Sequence, residues 1–303
     1  MAPLRVSVPD ESLVDAVSDL PGVAVLVWGL DAPAPVDSID LVVVPYLSGL
    51  APLARLTGVA TRLVQSQSIG YDGVADALGP GVTFANAASV HEASTAELAV
   101  ALILASLRGI PEFVRAQDVG RWAHERRRSL ADSAVLLVGY GGVNRAIEAR
   151  LAGFEVVVAR VARTARDTPT GFVHAMADLP HLLASADVVV IGVPLTDDTR
   201  GLVDEGFLGA MRDGAVFVNV SRGAVADTGA LVAHAGRLSL ALDVVDPEPL
   251  PSGHPLWRAP RTLISPHVGG ATSAMTPRVR ALIRAQAERM LAGEPPINVV
   301  IRT

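Results

Sequence analysis

The chain has 303 residues, half of them hydrophobic and 18% charged, a length and apolar content that build one large or two ordinary domains and exclude disorder. Its formal net charge is -6, so the whole-chain field offers no general attraction to nucleic acid or to anionic membranes. Cysteine is absent, which excludes disulfides, thiolate nucleophiles and Cys-based zinc sites and fits a reducing cytoplasm; no metal site is expected.

Met1 to Pro9 shows no basic segment followed by an apolar one, so no secretory signal is expected there. Five short Val-rich runs follow: Arg5–Val8, Val23–Trp28, Leu41–Pro45, Arg62–Gln65 and Val82–Phe84. They are continuous rather than alternating in hydrophobicity, as expected of parallel strands covered by helices on both faces. Five such strands predict a small flavodoxin-like unit. A long helix is predicted to open at Ser94-Thr95-Ala96-Glu97, where Ser or Thr followed by Glu can cap a first turn. Its apolar core, Leu98–Leu107, falls well short of the ~20 residues that a membrane-spanning helix needs. After the polar, Arg-rich stretch Arg115–Asp132 comes a second strand series: Ala134–Val138, Glu155–Ala159, Asp187–Val193, Ala215–Val220, Ser239–Val244 and Leu263–Ile264. Six strands with helices between them predict a complete doubly wound sheet. A last helix, Pro277–Ala292, lies beyond that sheet with no strand expected after it.

The first strand of the second series runs straight into Gly139-Tyr140-Gly141-Gly142-Val143-Asn144, with a helix-forming stretch behind it. Strand, glycine turn and helix in this order form a dinucleotide site. Gly139 permits the tight turn and Gly141 lets the backbone approach a pyrophosphate favoured by the helix N-terminus. Asn144 replaces the third glycine of the fingerprint. About twenty residues on, an acid would bind the ribose 2'-hydroxyl of NAD. This chain has Ala159-Arg160 there, with Arg163 and Arg166 following, a set of guanidiniums suited to a 2'-phosphate and thus to NADP(H) over NAD(H).

Three later segments carry further polar residues at strand ends: Val218-Asn-Val-Ser-Arg-Gly-Ala224, Ala241-Leu-Asp-Val-Val-Asp-Pro-Glu-Pro-Leu250 and Ser265-Pro-His-Val-Gly-Gly-Ala-Thr272. Arg222 follows an apolar strand and precedes a glycine, at a carboxyl-end tip where open parallel sheets bind ligands. It can grip a carboxylate and polarise the adjacent carbonyl. His267 leads into Gly269-Gly270, which leave room beside the ring, and imidazole suits proton transfer near neutral pH. Glu248, in the Pro-rich loop, can orient that imidazole and favour its protonated form.

In order and spacing these segments resemble the D-isomer-specific 2-hydroxyacid dehydrogenases, a family that includes glyoxylate/hydroxypyruvate reductases, and the resemblance spans almost the whole chain. It implies an α/β protein with a Rossmann dinucleotide-binding domain (93–271) inserted in a smaller flavodoxin-like substrate domain (1–92, with 272–303 returning to it). The site is expected in the cleft. The implied catalytic set is Arg222, Glu248 and His267, with hydride delivered to C2 of a small 2-oxo acid while His267 protonates the carbonyl oxygen; the D-2-hydroxy acid results. Asp243 corresponds to the residue contacting the nicotinamide carboxamide, or is a buried capping acid. Pro194 and Thr199 belong to a loop beside the cofactor. Ser68-Ile69-Gly70 resembles the substrate-carboxylate loop, Asn86 and Glu97 the hinge, and Arg115–Arg128 with Trp122 the homodimer contact. Two other readings stay open: a relative acting on phosphite or another anion with NAD, and a nicotinamide-sensing corepressor-like binding protein.

Overall fold

Each of the five apolar runs at the start of the chain forms a strand in the computed structural model, which describes residues 2–303. They are β1 (Leu4–Val8), β2 (Val23–Val27), β3 (Ser38–Val43), β4 (Ala60–Gln65) and β5 (Thr83–Ala85), with a short helix α1 (Val74–Ala77) before the last. All pair in parallel in the order β5-β4-β3-β1-β2, the flavodoxin-like arrangement. β3 starts earlier than expected. Ser38 and Asp40 break its apolar run, but Ile39 is buried and Asp40 Oδ2 accepts the Arg5 N–H at 3.0 Å.

The chain then enters α2 (Glu92–Arg108), which begins two residues before the Ser94 expected to cap it and leaves Glu97 exposed. Gly109, at φ 65, ends it and turns the chain by 66° into α3 (Ile110–Asp118). No single helix is long and apolar enough to cross a membrane. The second sheet follows: β6 (Ala134–Val138), α4 (Gly142–Leu151), β7 (Val157–Ala162), β8 (Arg166–Thr168), β9 (Gly171–Ala175), α5 (Leu179–Ser185), β10 (Val188–Ile191), α6 (Glu205–Ala210), β11 (Val216–Asn219), α7 (Thr228–His234), β12 (Ser239–Leu242) and β13 (Thr262–Ile264). Its order is β13-β12-β11-β10-β6-β7-β9-β8, parallel except for β8. Alternate residues of one strand feed opposite cores: Val188 and Val190 join a cluster with α2 and α4, Val189 and Ile191 one with α5, α6 and α7. Burial on both faces is why these strands read as unbroken apolar runs.

Two expectations for this sheet need correction. It has eight strands rather than six, because the hairpin β8–β9 buries little beyond Val173 and shows no apolar run. β7 begins at Val157 and ends at Ala162, displaced from Glu155–Ala159, since Glu155 takes φ 52, a left-handed turn conformation outside the extended range of a regular strand.

The end of the chain differs as well. After α8 (Met275–Leu291) the residues Val299–Arg302 form a further strand, β14, pairing antiparallel with β5, where none was expected. Four residues suffice because Val299, Val300 and Ile301 are β-branched and Asn298, at φ 56, makes the turn. Val279, Leu282, Ile283, Ala287 and Met290 of α8 share one core with Leu4, Val6 and Val8 of β1. The chain thus divides into two compact units, one comprising the residues up to His91 with Thr272–Thr303, the other Glu92–Ala271.

Candidate active site

The glycine turn joins β6 to α4. Gly139 has φ 84, and a Cβ there would lie 2.7 Å from Val193 and 2.8 Å from the Gly192 carbonyl, so only glycine fits. Gly141 is different: a Cβ would meet no protein atom within 4 Å. Gly141 also caps α4 with no side-chain hydrogen bond, which leaves the first N–H groups of the helix for an anion. Asn144, fully buried, donates through Nδ2 to the carbonyls of Val138 (3.0 Å) and Gly139 (2.5 Å). Its bulk is accommodated by Gly192, where a Cβ would come within 2.7 Å of the amide, so the missing third glycine is replaced by one on the neighbouring strand's end. The Tyr140 side chain leaves the turn, its hydroxyl bonded to Glu148 and to Thr170 Oγ1 (2.6 Å), and Val143 packs into the core below. An open Gly141 and an uncapped helix start fit a dinucleotide pyrophosphate.

Because β7 ends at Ala162, Arg160 lies inside the strand rather than at its tip. Its Nε donates to Glu148 Oε1 at 2.9 Å, and both side chains are only about a tenth exposed (12% and 11%). Burial raises the Glu148 pKa, but the hydrogen bonds from Arg160 and Tyr140, the Arg160 charge and Thr170 outweigh it and hold the carboxyl below its usual value. Arg163 to Arg166 are exposed beyond the tip, and Arg166 Nη2 reaches the Tyr140 carbonyl at 3.2 Å, beside the glycine turn.

Arg222, Asp243 and His267 follow β11, β12 and β13, three neighbours in one parallel sheet, so the topology delivers all of them to the same edge. Asn219 shapes the first tip: its Nδ2 donates to the Arg222 carbonyl at 3.0 Å while its Oδ1 accepts from the Ser221 N–H and hydroxyl at 3.1 and 2.8 Å. Arg222 Nη1 donates to the Ser221 carbonyl at 2.7 Å. The next residue, Gly223, packs so tightly that a Cβ would lie 1.8 Å from the Val245 carbonyl oxygen. Asp243, 3% exposed, organises the third tip, accepting from Ser265 Oγ (2.7 Å), Val268 N (3.0 Å) and Gly269 N (2.9 Å). His267 is thereby held at φ 52, a left-handed conformation uncommon for residues other than glycine, with its N–H shared between the carbonyls of Asp243 and Ser265. Its Nδ1 stands 2.6 Å from Glu248 Oε1, and both side chains remain partly exposed. Thr228 Oγ1, donating to the Asp246 carbonyl at 2.6 Å, ties down the loop that carries Glu248.

Asn219, Ser265 and Thr228 were not singled out from the sequence. Asn two residues before a turn peptide is a recognisable Asx-turn signal, whereas Ser265 and Thr228 find partners 22 and 18 residues away. Thr199 is bound within its own loop, donating to the Pro194 carbonyl at 2.6 Å and accepting from Thr196 N at 2.8 Å.

In the first unit, Ser68, Ile69 and Gly70 leave the carboxyl end of β4. The Ser68 N–H donates to Ser66 Oγ at 2.9 Å, while Asn86 Nδ2 pins the loop through the Ile69 carbonyl at 2.8 Å.

Comparison with known proteins identifies the chain's relatives. The family model for the D-isomer specific 2-hydroxyacid dehydrogenase NAD binding domain matches residues 100–269. The human glyoxylate reductase/hydroxypyruvate reductase is 32% identical over 252 residues, 78% of this chain and 76% of its own. The crystal structure of a D-isomer specific 2-hydroxyacid dehydrogenase from Xanthobacter autotrophicus Py2, in complex with NADPH and MES, matches with TM-score 0.83 at 29% identity, covering 99% of this chain and 98% of that one. An NADPH-dependent glyoxylate/hydroxypyruvate reductase of Sinorhizobium meliloti, in complex with NADP and sulfate, matches with TM-score 0.82 at 25% identity, covering 99% and 98%.

Proposed function

The chain belongs to the D-isomer-specific 2-hydroxyacid dehydrogenase family, NAD(P)-dependent enzymes, and from that premise we propose that it reduces a small 2-oxo acid of the glyoxylate or hydroxypyruvate kind to the D-2-hydroxy acid. The observation that carries this reading is the 2.6 Å contact of His267 Nδ1 with Glu248 Oε1, on the sheet edge that also presents Arg222.

A nicotinamide dinucleotide held by the Gly139–Asn144 turn supplies the hydride acceptor or donor when bound. With Nδ1–H donated to Glu248, the His267 Nε2 is the nitrogen that passes a proton to the carbonyl oxygen of the oxo acid and takes it back in the oxidative direction. Arg222 grips the substrate carboxylate and stabilises negative charge developing on the adjacent oxygen. Asp243 sets the backbone of the His267 tip, and its remaining acceptor capacity suits the carboxamide of a nicotinamide. For the first unit, the N–H groups of Ile69 and Gly70 are the donors proposed for a carboxylate, because the Ser68 N–H already bonds Ser66.

For the cofactor, Arg163 and Arg166 favour a 2'-phosphate and hence NADP(H), with Arg160 buttressing the wall behind them. The enzyme acts as a homodimer through α3 and the segment after it, where Ile110, Val114, Val119 and Trp122 are exposed, Trp122 to 93%.

Measuring NADPH and NADH consumption against glyoxylate, hydroxypyruvate, pyruvate and longer 2-oxo acids tests the proposal. Turnover is expected with the small acids, and His267→Gln is expected to lower kcat by about 10²–10⁴-fold. Absence of turnover with every one of them overturns the substrate class. Retention of activity by His267→Gln overturns the proton-transfer role. Trp122→Asp is expected to give a monomer in sedimentation analysis.

A further inference from the structure

The segment that leaves β4, Ser66 to Gly70, is fixed by its carbonyls. That of Ser66 accepts from Gln65 Nε2 at 2.7 Å, that of Gln67 lies 2.6 Å from His91 Nε2, that of Ser68 accepts from the Ala87 N–H at 2.9 Å, and that of Ile69 from Asn86 Nδ2 at 2.8 Å. Four consecutive carbonyls are therefore engaged. In a trans peptide the C=O and the N–H point to opposite sides, so each of these bonds also sets the direction of the next residue's N–H. The bonds at Ser68 and Ile69 aim the N–H groups of Ile69 and Gly70. The bond at Gln67 aims that of Ser68, which donates to Ser66 Oγ at 2.9 Å.

His91 is the one ring among these partners, and it lies buried, 5% exposed, immediately before α2. A carbonyl oxygen only accepts, so Nε2 carries the proton in the contact with Gln67. The ring stacks on Tyr46, two residues past Val44, with centroids 5.6 Å apart and planes at 24°, a pairing that restrains its rotation. Gln67 is gripped at its other end as well, its Nε2 donating to the Val44 carbonyl at 2.9 Å. The exits of β3 and β4 are thus joined through Gln67 and through the Tyr46–His91 stack. Loss of the His91 donor leaves the carbonyl of a buried residue unsatisfied, which favours rotation of the Gln67–Ser68 peptide and carries the two N–H groups behind it off their aim.

We propose that His91 is a positioning residue for the substrate carboxylate: through the Gln67 carbonyl it holds the loop so that Ile69 and Gly70 present N–H groups, and no carbonyl oxygen, to the anion. This rests on the reading of Ser68–Gly70 as the carboxylate loop given above. A peptide turned over would set a carbonyl oxygen against the carboxylate, so the orientation of two peptide units decides between attraction and repulsion. In this role His91 acts through Gln67 on the carboxylate end of the acid, so its loss weakens every 2-oxo acid alike, whatever the side chain.

His91→Phe keeps a flat ring for Tyr46 and removes the donor, whereas His91→Gln supplies an amide donor without the ring. KM for glyoxylate and for hydroxypyruvate is expected to rise about tenfold or more in His91→Phe, by the same factor for both acids, with kcat within about threefold and NADPH affinity as in the wild type. His91→Gln is expected to recover most of that loss. Oxamate, a 2-oxo acid analogue that accepts no hydride, is titrated calorimetrically into the NADPH-saturated proteins and is expected to lose affinity in parallel. An unchanged KM in His91→Phe overturns the positioning role, as does a matching loss of NADPH affinity, the result of a general packing defect. His91→Gln no better than His91→Phe removes the hydrogen bond as the cause and overturns it too. Should the wild type reduce none of the acids, the reaction proposed above fails separately and oxamate decides: an affinity that depends on His91 upholds the loop assignment, and equal affinity in the three proteins, or none, overturns it.

Discussion

Arg160 and Glu148 form an ion pair across the space between β7 and α4, with Arg160 Nε 2.9 Å from Glu148 Oε1 and the Tyr140 hydroxyl bonded to the same carboxylate. The pair keeps Arg160 within the strand, while Arg163 lies just beyond the tip of β7 and Arg166, opening β8, reaches the glycine turn. Arg163→Ser is expected to weaken NADPH about tenfold or more and to leave NADH within a few-fold, because a charge-assisted hydrogen bond contributes about 1.5–3 kcal/mol. Arg160→Ala is expected to weaken both cofactors alike and to destabilise the protein by about 3 kcal/mol, since it strands a mostly buried carboxylate. Affinity measurements with both cofactors on both variants decide; a NADPH-selective loss in Arg160→Ala alone reverses the assignment.

The same pair predicts an acid limb of stability. The Glu148 carboxyl is held below 4.5 in the fold by Arg160 and Tyr140 against the opposing effect of burial, so between its folded value and 4.5 the unfolded chain binds more protons. Stability from this group is therefore complete above 4.5 and is lost as pH falls through the folded value. Asp19, lowered by its hydrogen bond from Arg284, acts in the same sense at lower pH, its contribution complete above 3.8 and lost as pH falls through its folded value. Thermal unfolding of Glu148→Gln from pH 3 to 7 isolates the Glu148 share: a lower melting point near neutrality and a shallower acid decline are expected. A decline parallel to the wild type refutes the assignment.

Gly141 offers a test of the dinucleotide site that folding does not confound. Its Cβ position is empty and its φ is negative, so Gly141→Ala is expected to leave the melting temperature within about 1 °C. NADPH and NADH are both expected to bind at least tenfold more weakly, because the methyl group occupies the approach of the pyrophosphate. Unchanged affinity would show that no ligand comes close to this glycine.

Gly223 makes the opposite case. An added Cβ would overlap the Val245 carbonyl at 1.8 Å, so Gly223→Ala must displace either the Arg222 tip or the loop leading to Glu248. A destabilisation of about 1–3 kcal/mol is expected, together with a drop in kcat/KM of about a hundredfold, since a shift near 1 Å in a positioning group has that effect. Gly153→Ala, where a Cβ meets nothing within 4 Å, is the control expected to change neither. Equal behaviour of the two variants would remove Gly223 from the site's architecture.

The family, most of the strands and the positions of Arg222, Asp243 and His267 just after three of them were legible because each rests on neighbours in the chain. An apolar run, a glycine turn and the spacing Arg222, Glu248, His267 can be read without knowing what packs where. The hairpin β8–β9 and strand β14 were not legible, as their few residues gain apolar contact only through partners already in the sheet.

What the sequence by itself determined is thus the chemistry available: a glycine turn, a cation and an imidazole after strands, and an acid in a Pro-rich loop. The tertiary structure alone decided which of these groups are engaged and with whom. Arg160 meets Glu148 across 12 residues, Glu248 meets His267 across 19, and Asp243 reaches the His267 tip across 25 and 26. Such pairings follow from strand register and the length of each strand, and a three-residue difference in where β7 ends was enough to move one arginine from the tip to the wall.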